Sequence, residues 1–140
     1  MAYSVMVERT VALSREKVFA TLMDFGGIMT LLPDMLETCT LEGSGVGALR
    51  TITLKGTPGS VVERLDGAYD GHYFSYSIVA ECPLPFNHYH AVVMLEDAAG
   101  GGCFIRYGSN WVANGVPHAE VVTMVTGLYN GIVDAIVKAG

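Results

Sequence analysis

Hydrophobic and polar positions alternate at the start of the chain and then change to helical spacing. Residues 3–13 alternate apolar and polar side chains, which predicts a strand with one buried face. In the next segment, SREKVFATLMDF, the apolar residues fall on one helical stripe, with Ser14 as the N-cap. We expect Gly26-Gly27 to end this helix and IMTLLP to form a second short helix before Pro33.

The middle of the chain contains six candidate strands, between about Met35 and Val112. Turn-forming segments rich in glycine and proline separate them, at 43–45, 56–59, 70–71, 82–85 and 98–102. This spacing predicts an antiparallel meander. Residues 116–138 return to helical spacing, with Pro117 in the first turn. Apolar residues lie on more than one side of this helix, so we expect most of its length to be sheltered.

These elements predict a single α+β domain over residues 1–140. A curved, seven-stranded antiparallel sheet would surround one long C-terminal helix, with two short helices after the first strand. A sheet and a single helix touch more easily at their edges than across the full width of the sheet. Large side chains or a ligand must therefore fill the space between them, and the fold predicts a cavity.

Composition and charge narrow the class of protein. The chain has 140 residues, is 51% hydrophobic and carries a net charge of −6, which excludes general disorder. It has no run of Lys or Arg, so we expect no nucleic acid and no anionic membrane as partners. Insertion into a membrane is not expected, because polar residues interrupt the most apolar segment: His118, Glu120, Asn130 and Asp134.

Cysteine usage and the N-terminus predict a cytoplasmic protein. Cys39, Cys82 and Cys103 form no C-x-x-C pair, and MAYSVMVERT lacks the apolar stretch of a signal peptide. No phosphate-binding glycine loop or metal-ligand spacing is recognisable, so we expect no cofactor and no metal. His88 and His90 could face one metal, but no third ligand falls at a matching spacing.

The order of elements and several local motifs resemble the START-like helix-grip superfamily, also called SRPBCC. The motifs are SREKVFATLMDFGG, VGALR, VVERLD, HYFSYSIVAECPLP and GLYNGIVDAI. This superfamily includes the birch-pollen allergen family, the abscisic-acid receptors and polyketide cyclase/dehydrase-like proteins. The resemblance covers nearly the whole chain and implies a cavity between the sheet and the long helix.

The resemblance also implies an entrance to the cavity, between two loops that act as gate and latch in the hormone receptors. The gate would be residues 56–60 and the latch residues 82–86. Pro83 and Pro85 stand where the receptors use a basic turn that contains histidine, which argues against hormone-type signalling. The receptor pocket has a lysine for its ligand's carboxylate, and the matching stretch 32–37 has none.

Three arguments select the residues predicted to contact a ligand. Strand alternation places on the inner face Ile52, Leu54, Val61, Glu63, Tyr76, Ile78, Tyr89, Ala91, Ser109 and Trp111. The gate and the latch add Pro58 and Leu84. The part of the family's helix that lines the pocket matches Met124, Val125, Leu128 and Tyr129. Each of these side chains could instead simply fill the core.

Glu63 is the most informative candidate, because it lies on an otherwise apolar face. It would act as a hydrogen-bonding anchor or a general base; alternatively, it would lie near the strand end and reach solvent, or pair with Arg50 or Arg64. In an enzyme of the cyclase or dehydratase type, Glu63 would remove a proton, and Tyr76 or Tyr107 would stabilise the enolate.

Three functions remain open at the level of sequence. The first is the binding or transport of a hydrophobic small molecule such as a lipid, a polyketide or an isoprenoid-like compound. The second is a polyketide cyclase or dehydratase that uses the same cavity. The third is a protein-binding module, because a mean hydropathy of +0.39 is high for a soluble monomer and leaves room for a homodimer surface. Gly127 and Gly131, one turn apart in the long helix, indicate a packing or cavity requirement there.

Overall fold

The computed structural model describes residues 2–140, which form seven strands and three α-helices. The strands are β1 (Val5–Val11), β2 (Leu36–Glu42), β3 (Leu49–Leu54), β4 (Thr57–Tyr69), β5 (Tyr73–Ile78), β6 (Phe86–Asp97) and β7 (Cys103–Ala113). The helices are α1 (Arg15–Met23), α2 (Ile28–Leu31) and α3 (His118–Ala139). Short 3₁₀ turns occupy Phe25–Gly27 and Ala99–Gly101. This element order confirms the predicted α+β class.

All neighbouring strands pair antiparallel in one sheet of order β1-β7-β6-β5-β4-β3-β2. The sheet is curved, and its inner face packs with α3 into one hydrophobic core. Arg9 of β1 ties α3 to the edge of the sheet through a bond of 3.0 Å to Asn130 and an ion pair of 2.8 Å with Asp134. The predicted helix-grip architecture is therefore confirmed.

The start of α1 agrees with the sequence prediction, and its end does not. Ser14 Oγ accepts a hydrogen bond from the Lys17 amide at 3.2 Å, as expected of an N-cap. The helix ends at Met23, before Gly26-Gly27, and the two glycines lie in the 3₁₀ turn. A Cβ atom on Gly27 would meet only the end of the exposed Asp24 side chain, which can move aside, so packing does not require a glycine here.

Helix α3 begins at His118, one residue after Pro117, which the sequence analysis placed in the first turn of the helix. Pro117 is the extended N-cap residue and lies outside the helix. Its buried residues run from Val121 to Ile136 on one face, which agrees with the predicted shelter along most of the length. Apolar residues on the other side reach solvent, since Met124 is 40% exposed and Val137 44%. The helix is long and apolar enough to cross a membrane, with a mean hydropathy of 1.3 in its most apolar window. In this fold it is the core helix.

A bulge at the start of β6 changes which side chains face inward. The β6–β7 register shifts between Asn87 and His90, and His88 adopts a positive φ of 59°. As a result Phe86 and Tyr89, three residues apart, are both buried. No group of three His, Cys, Asp or Glu side chains within residues 2–140 is arranged to hold a metal ion.

The outer face of the sheet carries a polar cluster that makes stability depend on pH. Ser77 donates a hydrogen bond of 2.5 Å to Asp66, and Arg64 donates one of 2.7 Å to the other carboxylate oxygen. Burial would raise the pKa of Asp66, but these two bonds outweigh it and lower the pKa below its ordinary value. The ionised carboxylate therefore stabilises the fold above the pKa of the unfolded chain, and this contribution is lost as the pH falls through the folded pKa.

We expect Ser77→Ala to lower the free energy of unfolding by about 1 kcal/mol at pH 7 and by much less near pH 3. Urea denaturation followed by the fluorescence of buried Trp111 measures both values. The control is Ser75→Ala on the same strand, whose hydroxyl makes no such bond to Asp66, and its effect should not change with pH. Equal losses at the two pH values for Ser77→Ala would contradict this assignment.

Candidate functional site

A cavity of about 500 Å³ lies between the inner face of the sheet and α3. Its walls are mostly apolar, and a few polar side chains project into it. The lining comprises Ile28, Leu32, Met35, Leu36, Arg50, Ile52, Leu54, Lys55, Thr57, Val61, Glu63, Tyr76, Ile78, Leu84, Phe86, Tyr89, Met124, Val125, Gly127, Leu128, Gly131 and Ile132. Pockets of about 300–1,000 Å³ with this character are typical of small-molecule sites.

The exposure of the lining residues locates the mouth of the cavity. Met35 is 44% exposed and Met124 is 40% exposed, and Lys55 and Gly127 also reach solvent. These residues come from the segment that joins α2 to β2, from the turn between β3 and β4, and from one flank of α3. We call this opening the mouth. The inner end, in contrast, is formed by side chains that are almost completely buried.

A buried ion pair forms the polar part of the inner end. Arg50 Nε donates to Glu63 Oε1 at 2.7 Å, and the two residues are only 5% and 7% exposed. Arg50 also donates to the Phe25 carbonyl at 3.1 Å, and its guanidinium lies 3.8 Å from the centre of the Phe25 ring. Burial opposes the charge of Arg50, but the facing carboxylate outweighs this effect and raises the pKa of Arg50.

Four tyrosines form two hydroxyl pairs beside this ion pair. The hydroxyls of Tyr76 and Tyr107 lie 2.5 Å apart, and the Tyr89 hydroxyl bonds to that of Tyr129. The rings of Tyr107 and Tyr129 stack with centroids 4.1 Å apart, which joins the two pairs into one cluster. Tyr76 and Tyr89 line the cavity, while Tyr107 and Tyr129 lie behind them.

Burial keeps these tyrosines neutral hydrogen-bond donors. It raises the pKa of Tyr107 to about 12 and the pKa of Tyr76 well above its ordinary value, with the neighbouring hydroxyl as a further cause for Tyr76. Two phenols that share one hydrogen bond have one hydrogen left over. When Tyr107 donates to Tyr76, the Tyr76 hydrogen is free to point into the cavity. The inner end can thus donate to an oxygen of a bound molecule.

Comparison with known proteins places this geometry in a family. A sequence model described as polyketide cyclase / dehydrase and lipid transport matches residues 2–139. The chain belongs to this family. No curated protein matches the chain. The family forms part of the START-like helix-grip superfamily, so the resemblance read from the sequence motifs is confirmed.

Several solved structures share the fold of this chain. XoxI from Bacillus cereus is 21% identical, with a TM-score of 0.79 over 99% of this chain and 95% of that one. Ara h 8.0201 is 23% identical, with a TM-score of 0.77 over 96% and 94%. Norcoclaurine synthase from Thalictrum flavum, solved with dopamine and hydroxybenzaldehyde, is 19% identical, with a TM-score of 0.76 over 96% and 83%.

Most of the residues predicted to contact a ligand line the cavity of this family member. They are Ile52, Leu54, Val61, Glu63, Tyr76, Ile78, Leu84, Tyr89, Met124, Val125 and Leu128. Strand alternation predicted the seven residues that lie on strands. The resemblance to the superfamily predicted the other four, which are Leu84 in the latch and Met124, Val125 and Leu128 in α3. Their contact with a ligand stays a prediction. Of the three catalytic candidates, Glu63 and Tyr76 reach the cavity, and Tyr107 lies behind Tyr76.

The other predicted contact residues lie outside the lining, for three reasons. Ala91, Ser109 and Tyr129 face inward but are fully buried beneath other side chains. Trp111 is 5% exposed and packs against Phe86 and His118. Pro58 is exposed at the start of β4.

Several lining residues were not among the sequence candidates. Arg50 has the same strand parity as Ile52 and Leu54 but is charged, and alternation favours apolar residues for an inner face. Strand alternation did not identify Phe86, because the bulge in β6 reverses the inward and outward positions before Tyr89. The residues contributed by α2, by β2 and by the segment that joins them carried no signal that separates cavity lining from core; they are Ile28, Leu32, Met35 and Leu36.

The predicted gate differs from an open loop. Lys55-Gly56 forms a tight turn, and β4 already begins at Thr57. Gly59 has a φ of +97°, and a Cβ atom there would lie 3.6 Å from Pro83 Cγ. The start of β4 is therefore in contact range of the latch segment 82–86, and a glycine is required at Gly59 by its backbone conformation.

Gly127 and Gly131 serve the cavity and not a close helix–sheet contact. Both glycines line it, and no atom outside the helix lies within 4 Å of a Cβ atom built on either one. Of the two requirements that the sequence left open, packing or a cavity, the structure therefore favours the cavity. Each glycine costs the helix about 1 kcal/mol relative to alanine, and the space that it leaves lies at the mouth.

Proposed function

We propose that this protein binds a hydrophobic small molecule, such as a lipid, a polyketide or an isoprenoid-like compound, in the cavity between the sheet and α3. The observation that carries this proposal is the cavity itself: about 500 Å³ of space with mostly apolar walls and a few polar groups at its inner end. Protein interiors are normally packed without such voids, so a space of this size favours an occupant. We also propose a cytoplasmic location.

The polar groups at the inner end favour a ligand with an uncharged oxygen at that end. Arg50 and Glu63 neutralise each other at 2.7 Å, so an additional charge would meet an equal and opposite pair. Tyr76 and Tyr89 supply neutral hydroxyls beside apolar walls. A carbonyl or hydroxyl oxygen can accept a hydrogen bond there while the rest of the molecule stays in contact with Val61, Ile78 and Leu128.

A cyclase or dehydratase is the second candidate, since the family includes such enzymes and Tyr76 could stabilise an enolate oxygen. Glu63 is poorly arranged to be the base. A proton taken up by its carboxylate would cancel the charge that faces Arg50, and this would leave a buried guanidinium without compensation. The carrier is therefore the function that the geometry supports best.

Native mass spectrometry of the protein purified from its own host tests the proposal. We expect a bound hydrophobic compound of defined mass that leaves on denaturation. Incubation of the recovered compound with fresh protein, followed by chromatography and mass measurement, then separates the two candidates. A carrier returns the compound unchanged, a dehydratase returns it less one molecule of water, and a cyclase returns an isomer with a different retention time. A mass without any ligand, together with no uptake of added hydrophobic compounds, would contradict both candidates and favour the homodimer or protein-binding alternative.

A further inference from the structure

The charges in the cavity are unevenly distributed between its two ends. Three lining residues are charged: Arg50, Lys55 and Glu63. Arg50 and Glu63 form the buried pair at the inner end and cancel each other. Lys55 is left as a single positive charge in the lining, and it lies at the mouth.

Lys55 is held at the mouth by its backbone and its side chain. Its amide donates to the Met35 carbonyl at 2.9 Å, and its Nζ donates to the Pro33 carbonyl at 2.9 Å. Among residues 2–140 it takes part in no ion pair. An ammonium group has three hydrogens, so two remain for other acceptors. The aliphatic part of Lys55 lines the cavity while its charged end reaches solvent.

The surroundings of the mouth leave room for a polar group next to Lys55. Gly127 and Gly131 present no side chains on the α3 flank, and the space beside them is open. Met35 and Met124 provide flexible apolar contacts on either side. An acid group placed here would keep part of its hydration, so it need not be stripped of water on binding.

We propose that the ligand is an amphipathic acid whose hydrophobic body fills the cavity and whose carboxylate stays at the mouth on Lys55. This inference rests on the proposed function, and it adds the charge and the orientation of the ligand. The inner end is unsuited to the carboxylate, because Glu63 would repel it and Arg50 already donates to Glu63 and to the Phe25 carbonyl. A partly hydrated pair with Lys55 is worth about fivefold in affinity at most.

Titration calorimetry with three probes of equal chain length tests this inference: decanoate, decan-1-ol and decyltrimethylammonium. The two ionic probes are used below their micelle concentrations and decan-1-ol below its solubility limit. We expect decanoate to bind about three- to fivefold more tightly than decan-1-ol, and the ammonium compound to bind most weakly. Lys55→Gln should lower the ratio of the decanoate affinity to the decan-1-ol affinity to about one, because it removes the charge that distinguishes the two probes. Lys55→Arg should retain the preference, since it keeps the charge.

The matched control is Lys17→Gln, which removes the same charge from an exposed position on α1 away from the cavity. We expect no change in any of the three affinities. Equal binding of decanoate and decan-1-ol to the unmodified protein, or equal effects of the Lys17 and Lys55 substitutions, would overturn the inference and leave the proposed function standing. Failure of all three probes to bind would overturn both.

Discussion

Glu63→Gln is expected to lower the free energy of unfolding by about 3 kcal/mol. Glutamine has nearly the same shape and still accepts a hydrogen bond, but it leaves the charge of Arg50 uncompensated in a site where both residues are less than a tenth exposed. Breaking a buried pair from one side is costly because the remaining ion has lost its hydration. Urea denaturation of the ligand-free protein at neutral pH measures the loss.

Two further variants separate the effect of the buried charge from a general effect of substitution. Arg50→Met combined with Glu63→Leu removes both charges, and it should recover most of the stability. Glu8→Gln breaks the exposed contact of 3.4 Å with Arg106 and should cost less than about 0.5 kcal/mol. If the double variant were as unstable as Glu63→Gln, shape and not charge would explain the loss.

The stability expected of the variant that lacks both charges also bears on why the Arg50–Glu63 ion pair is present. An apolar inner end would hold the fold at least as well, so stability alone gives little reason for a charged pair in this position. Its consequence for binding is clearer. The pair polarises the inner end without giving it a net charge, and it packs beside Tyr76, with the guanidinium 5.1 Å from the centre of that ring.

The sequence was sufficient for the fold and for the regular part of the cavity. Strand parity is a local property, and it located Val61, Glu63 and Tyr76 because β4 and β5 run without interruption through these residues. Strand parity no longer predicts which side chains face inward where a bulge inserts a residue. The bulge at His88 is the reason that parity did not identify Phe86 as an inward-facing residue. No local pattern marks a bulge here, since His88 is not a glycine, the residue that most readily adopts a positive φ.

The charged residues of the cavity show a different limit of sequence reasoning. Arg50 and Glu63 pair across neighbouring strands, where they are direct register partners. The sequence allowed Glu63 to pair with Arg50 or with Arg64. Arg64 follows Glu63 on β4 and therefore points to the outer face, where it bonds to Asp66. Arg50 reaches Glu63 through the β3–β4 register, which the pattern of polarity does not fix. Lys55 lies at the mouth only because the turn it forms packs against the segment that joins α2 to β2, which is a long-range contact.

Gly131→Phe is expected to weaken the binding of decanoate at least tenfold without lowering stability. Gly131 lines the cavity beside Leu128 and Met124, and a side chain added there meets open space. A phenylalanine ring would occupy the volume next to the mouth that the ligand needs. The helix itself should gain about 0.5 kcal/mol, because glycine is a poorer helix former than phenylalanine. A substitution that damaged the fold would lower both the stability and the affinity for decanoate. Weaker binding together with unchanged or higher stability therefore identifies an obstructed cavity.

Two controls test whether the loss of decanoate binding comes from the cavity. Thr123→Phe places the same ring on the exposed face of α3 and should leave binding unchanged. Gly131→Ala adds only a methyl group, so it should stabilise the helix by about 1 kcal/mol and weaken binding only slightly. Unchanged binding in Gly131→Phe would mean that decanoate does not occupy the space between α3 and the sheet. A graded loss from alanine to phenylalanine would instead mean that the two glycines in α3 reduce helix stability in order to keep the cavity open at its mouth.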